Sequence, residues 1–167
     1  ALTALSDLVR EVGSLGSQVS PEADERKIVS DKALDLVFCA VGFLHRLAGA
    51  VTEKQLLAAI NEGHAENGGK FTDLLFRGWR HHHPSPQRDP KREVMNIVKQ
   101  FGPLCDASPR PRVINTPQAV RSVAWIVLRC LHLMAWADPD ITESGMIRRA
   151  SARIDNLTEG TGPFRIY

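Results

Sequence analysis

A chain of 167 residues with 43% apolar and 24% charged side chains has the composition of a folded globular domain. Its length lets it bury roughly two thirds of the surface that the unfolded chain exposes. Wholesale disorder, a collagen repeat and a coiled-coil rod are excluded on the same grounds. The net charge is only +2, so any affinity for a polyanion has to come from how charge is distributed.

Proline punctuates the chain. A capping residue precedes it at Ser20-Pro21, Asp89-Pro90, Thr116-Pro117 and Asp138-Pro139, a pairing that suits the first position of a helix. The first predicted helix covers 2–15, with Leu2, Leu5, Leu8, Val9, Val12 and Leu15 on one face. The second covers 21–48. Its polar stripe is narrow (Asp31, Asp35 and Arg46, with Lys32 beside it), which predicts a buried central helix. The third starts at the capping box Thr52-Glu-Lys-Gln55 and is expected to end at Gly63. A short fourth helix carries Phe71, Leu74, Leu75 and Trp79. The fifth runs from Pro90 to a stop at Gly102-Pro103, the sixth covers 117–137, and the last covers 141–157 with Ile147, Ala150, Ile154 and Leu157 inward. No alternating strand pattern competes with these periods. The expectation is an all-α compact bundle of six or seven helices, with Pro-rich loops at 81–89 and 102–116.

These elements are read as one helical domain over 1–167, with the apolar stretch 160–167 as a C-terminal arm. The start at Ala1 and the apolar ending suggest a piece of a longer chain. Three cysteines, Cys39, Cys105 and Cys130, lie far apart with no CxxC pair, which argues against a disulfide framework or a zinc ribbon. A reducing compartment, cytoplasm or nucleus, is the expected location. The N-terminus shows no charged segment followed by a long apolar run, so no signal peptide is expected. The apolar runs at 36–44 and 123–137 are broken or ended by His45, Arg46, Arg129 and His132. Both fall short of the roughly 20 apolar residues that span a bilayer.

Charge is unevenly laid out. Residues 1–76 hold seven basic and eleven acidic side chains, whereas residues 77–112 hold eight basic and three acidic ones. The basic middle consists of Arg77, Arg80, Arg88, Lys91, Arg92, Lys99, Arg110 and Arg112. Arginine predominates, as bidentate phosphate recognition favours. Arg77, Arg80, Arg88, Lys91, Arg92, Arg110 and Arg112 are the candidate nucleic-acid contacts.

Other motifs have simpler explanations. Three adjacent histidines, His81-His82-His83, precede a proline and cannot all face one ion, so no native metal site is assigned. Gly68-Gly69-Lys70 lacks the spacing of a phosphate loop. Glu22, Asp24 and Glu25 fall in a first helical turn, where they complement the helix dipole. No GxSxG motif or patterned Cys–His pair supplies a nucleophile.

The sixth helix is more informative. Trp125, Arg129, His132 and Trp136 share one stripe with Ser122, while the remaining positions of 123–137 are aliphatic, alanine, cysteine or methionine. Trp125–Arg129 and His132–Trp136 are i,i+4 neighbours. The stripe is read either as a local cation–π pair at the rim of a buried helix or as a partly exposed surface for a partner or a stacked base.

The functional expectation is a non-enzymatic helical assembly module of nucleocapsid or coat type. It would associate with itself as a homo-oligomer and contact the phosphates of single-stranded RNA through its basic middle, without a cofactor. Two alternatives stand beside it. One is a protein–protein adaptor using the Trp/Arg stripe. The other is a helical enzyme with a dispersed site built from His45, His64, His132 and carboxylates.

Overall fold

The computed structural model describes residues 2–18, 23–48, 51–66, 89–107, 116–138 and 140–158. Their seven helices are α1 (Leu2–Gln18), α2 (Ala23–Ala48), α3 (Glu53–Glu66), α4 (Pro90–Val98), α5 (Phe101–Ala107), α6 (Thr116–Ala137) and α7 (Glu143–Thr158). There is no strand among the described residues. The all-α bundle expected from the periodicity is the observed fold. The short helix proposed around Phe71–Trp79, the loop 81–88 and the tail 159–167 lie outside the described residues.

α6 is the hub. It packs against α2, α3, α4 and α5, whereas α2 packs chiefly against α1 on one side and α6 on the other. The helix expected at the centre is therefore interior but less enclosed than α6. The reason lies in residue size and polarity. From Ala119 to Met134, α6 presents Ala, Val, Ile, Leu and Cys on almost every side, and only such a helix can be surrounded. Val123, Ile126, Leu128, Leu133 and Met134 are fully buried. α6 has 22 residues and enough hydropathy to cross a bilayer by length and composition, and 67% of its most apolar window is buried inside the bundle.

Several helix ends follow their sequence signals. Thr52 and Gln55 form the capping box, with Thr52 N–H donating to Gln55 Oε1 at 2.9 Å and Gln55 N–H to Thr52 Oγ1 at 3.3 Å. Asp89 caps α4 by accepting from Lys91 N–H at 2.9 Å, with Pro90 in the first turn. Three ends differ from expectation. α3 continues through Gly63 to Glu66, because a glycine weakens a helix without obliging it to stop. Pro103 does not begin a loop. The chain turns at Lys99-Gln100 and resumes as α5, whose first bond is Leu104 N–H to Gln100 C=O at 3.1 Å. Pro103 sits in the first turn, where a missing N–H costs nothing. Asp138 does not cap α7 either. Thr142 does so, accepting from Gly145 N–H at 3.1 Å.

Two apolar faces also depart from the simple helical wheel. Leu8, Val12 and Leu15 are buried on α1, but Val9 is 51% exposed. On α7, Ile147 and Ile154 point outward, 58% and 46% exposed. Ala150 packs against the core as expected, together with Met146, and Arg149 and Arg153 share that inward face with them. Arg149 reaches Ser30 Oγ at 3.1 Å and Asp138 Oδ2 at 2.8 Å, and Arg153 grips Asp35 with both nitrogens at 2.5 and 2.6 Å. Asp35 is 2% exposed. A carboxylate buried on α2 demands a cation, and that demand fixes the face α7 turns inward.

Candidate nucleic-acid interface

The candidate site is built on α4, the turn after it, and the N-terminal half of α6. α4 sorts its charges. Its one acid, Glu93, is buried with Val94 and Ile97 on the inner face. Lys91 and Arg92 are exposed, as is Lys99 just beyond the helix. At 100° per residue Lys91, Arg92, Met95, Val98 and Lys99 share one outward arc, and Met95 and Val98 are themselves exposed. Neither Lys91 nor Arg92 has an ion-pair partner among the described residues. The outer face of α4 is thus a cationic strip with two apolar side chains set into it.

Glu93 ties α4 to α6. Its Oε2 lies 3.2 Å from Arg129 Nη1 and 3.6 Å from His132 Nδ1. His132 is 2% exposed, so it cannot belong to an exposed stripe. The partly exposed reading of the stripe places it outward because it interrupts an apolar helix, but a buried acid on the packing partner meets it there. Arg129 is mostly buried, and its guanidinium lies over the Trp125 ring, 4.9 Å from the centroid. The local cation–π pair read from the sequence is present. Arg129 Nε is buried without a hydrogen-bond partner. Trp136 takes its cation from another helix: Arg26 of α2 stands 5.1 Å from its ring. The stripe therefore divides. Trp136 packs against the main core, while Trp125 packs against Leu128 in a small satellite cluster.

Trp125 also lines an open cleft of about 470 Å³ between the α4–α5 turn and the first turns of α6. Its other walls are Gln100, Pro103, Pro117, Gln118, Arg121 and Ser122. Gln118 Nε2 donates to the Pro103 carbonyl at 2.9 Å, which joins the two sides. Arg121 is exposed at the rim and has no ion pair among the described residues. Sequence reasoning missed this cleft. One signal was available, since Arg121 stands one turn before Trp125 on the same face. The contribution of Gln100 and Pro103 depends on the unexpected helix α5.

No family model, curated protein or solved structure matches the chain. Its function therefore has to be read from its own surfaces.

Of the basic residues proposed from the sequence, Lys91 and Arg92 lie on the exposed strip, while Arg77, Arg80, Arg88, Arg110 and Arg112 lie outside the described residues. Among the described residues no three histidine, cysteine or acidic side chains converge as a metal would require. His45 is exposed near the end of α2, and His132 is buried against Glu93; the His64 side chain and His81–His83 lie outside the described residues. Burial, with Glu11 and Asp7 nearby, pushes the Cys39 thiol up to about 11. Burial alone raises Cys130 further. Both are held as thiols at neutral pH and supply no nucleophile.

Proposed function

We propose that this chain is a non-enzymatic helical module that binds single-stranded RNA through its phosphates and associates with copies of itself. The observation that carries the reading is the charge sorting on α4. The helix turns its only carboxylate inward to Arg129 and His132 and leaves Lys91, Arg92 and the following Lys99 facing solvent. Exposed cations without carboxylate partners are the groups that neutralise phosphates and release counterions. Arg121 adds a fourth cation on α6, beside a half-buried tryptophan. In sequence, Arg88 precedes α4 and Arg110 and Arg112 precede α6, so further basic residues flank the helices that carry these cations.

Self-association is supported by the outward Ile147 and Ile154, one heptad apart on α7. Apolar side chains at such spacing on an exposed helix suit a helical partner surface. The test is size-exclusion chromatography with light scattering, before and after nuclease treatment. The reading predicts a mass above one chain and an absorbance ratio at 260/280 nm that falls on treatment. A monomer carrying no nucleic acid, which also fails to bind added RNA at low salt, contradicts it. The adaptor reading predicts a different pattern, with a protein partner retained and no nucleic-acid absorbance.

A further inference from the structure

We infer that the cleft at the start of α6 receives one unstacked nucleobase of a bound single strand, with Trp125 as its stacking surface. The inference rests on the RNA reading above and extends it from the phosphates to a base. The cleft's volume of about 470 Å³ falls within the range of roughly 300–1,000 Å³ that small-ligand sites occupy. Its chemistry is selective. Among the described residues no carboxylate lines it, and the one cation there, Arg121, is exposed. The uncharged polar residues lining it are Gln100, Gln118 and Ser122, the last of them nearly buried.

Each feature answers a part of a nucleotide. The indole offers a π surface that any base can stack on. It is held in place, because Arg129 lies over the ring at 4.9 Å and is itself fixed by Glu93 at 3.2 Å. A carboxamide carries a donor and an acceptor side by side, matching the edge of a base. The Gln100 carboxamide makes no hydrogen bond to another described residue, while Gln118 braces the wall against Pro103. Arg121 has the planar fork that pairs with a phosphate. Among the described residues an acidic peptide would find one cation and no second one here. An aliphatic ligand would find two prolines and an indole among polar groups.

The experiment uses the full chain and fluorescence anisotropy at fixed salt. Its probes are a labelled oligouridylate, the abasic ribose-phosphate strand of the same length, and the matching single-stranded DNA. The base-containing strand is expected to bind more tightly than the abasic one. Trp125→Leu should remove about 5- to 150-fold of affinity for the base-containing strand, with the abasic strand unaffected. Trp125→Phe should restore most of it. Gln100→Ala, at a turn position where folding is not at stake, should cost about fivefold on the same strand alone. An equal Trp125 dependence for DNA assigns the cleft to the base of either nucleic acid, and a dependence seen only with RNA assigns it to RNA. Equal binding of base-containing and abasic strands, or affinity unchanged in both Trp125→Leu and Gln100→Ala, overturns the inference while leaving the phosphate reading intact. Failure of every strand to bind at low salt overturns both.

Discussion

Trp125 and Trp136 stand on the same face of the same helix, and each has an arginine over its ring. They nevertheless do different things. The cation over Trp136 comes from α2, so that contact joins two helices and the ring belongs to the main core. The cation over Trp125 comes from one turn further along α6, so the ring contact itself is local, the link to α4 runs from Arg129 to Glu93 and not through the ring, and Trp125 stays at the edge of a cleft. A tryptophan–arginine pair thus has no fixed meaning. Where the arginine originates decides whether the pair holds the fold together or dresses a surface.

Trp136→Ala removes a large aromatic from between α6 and α2 and should cost about 3 kcal/mol of stability, the lower end for a core aromatic because the ring is only half buried. Denaturant unfolding measures it, and a loss below about 1 kcal/mol would mean that the Arg26 contact is ornamental. Glu93→Gln comes next. It leaves Arg129 and His132 without their shared carboxylate and should cost about 2 kcal/mol, less than a fully buried pair because Arg129 keeps some solvent access. Stability unchanged in that variant would remove Glu93 as the tie between α4 and α6.

Trp125→Leu sharpens the contrast. It should cost at most about 1 kcal/mol of stability, since Leu128 and Arg129 remain packed on the helix. A melting temperature that falls as far as in Trp136→Ala would erase the distinction between the two rings. Smallest of all in stability is the joint replacement of Lys91, Arg92 and Lys99 by glutamine. All three are exposed, so the joint change should stay within about ±0.5 kcal/mol in total. A larger loss would assign these cations to structure and remove them from binding.

The sequence made the helices legible because their caps are local. The Thr52 box and the Asp89 cap need only residues three positions away or fewer. The faces were legible only in part. On α1, Leu8, Val12 and Leu15 are buried as their spacing says, while Val9 is exposed and Glu11 is buried. α7 meets Ser30 and Asp35 of α2, so it turns Arg149 and Arg153 inward and Ile147 and Ile154 outward. No wheel drawn on α7 alone contains that information, because the acid that decides it lies 118 residues away in the chain. The same holds at the site. The Trp125–Arg129 pair is local and was visible. His132 faces Glu93 across 39 residues, and the cleft depends on a helix that begins two residues before a proline; neither has a local signature.

In the proposed function, RNA is held through its phosphates by the cations on α4 and at the start of α6. The most direct test is the salt dependence of binding to a labelled single-stranded RNA, for the unmodified chain and for one with Lys91, Arg92, Lys99 and Arg121 replaced by glutamine. The logarithm of the binding constant should fall linearly with the logarithm of salt concentration. The quadruple variant should show a slope shallower by about 0.7 for each phosphate contact removed. Equal slopes for the two proteins, or no binding by the unmodified chain at low salt, would contradict the account.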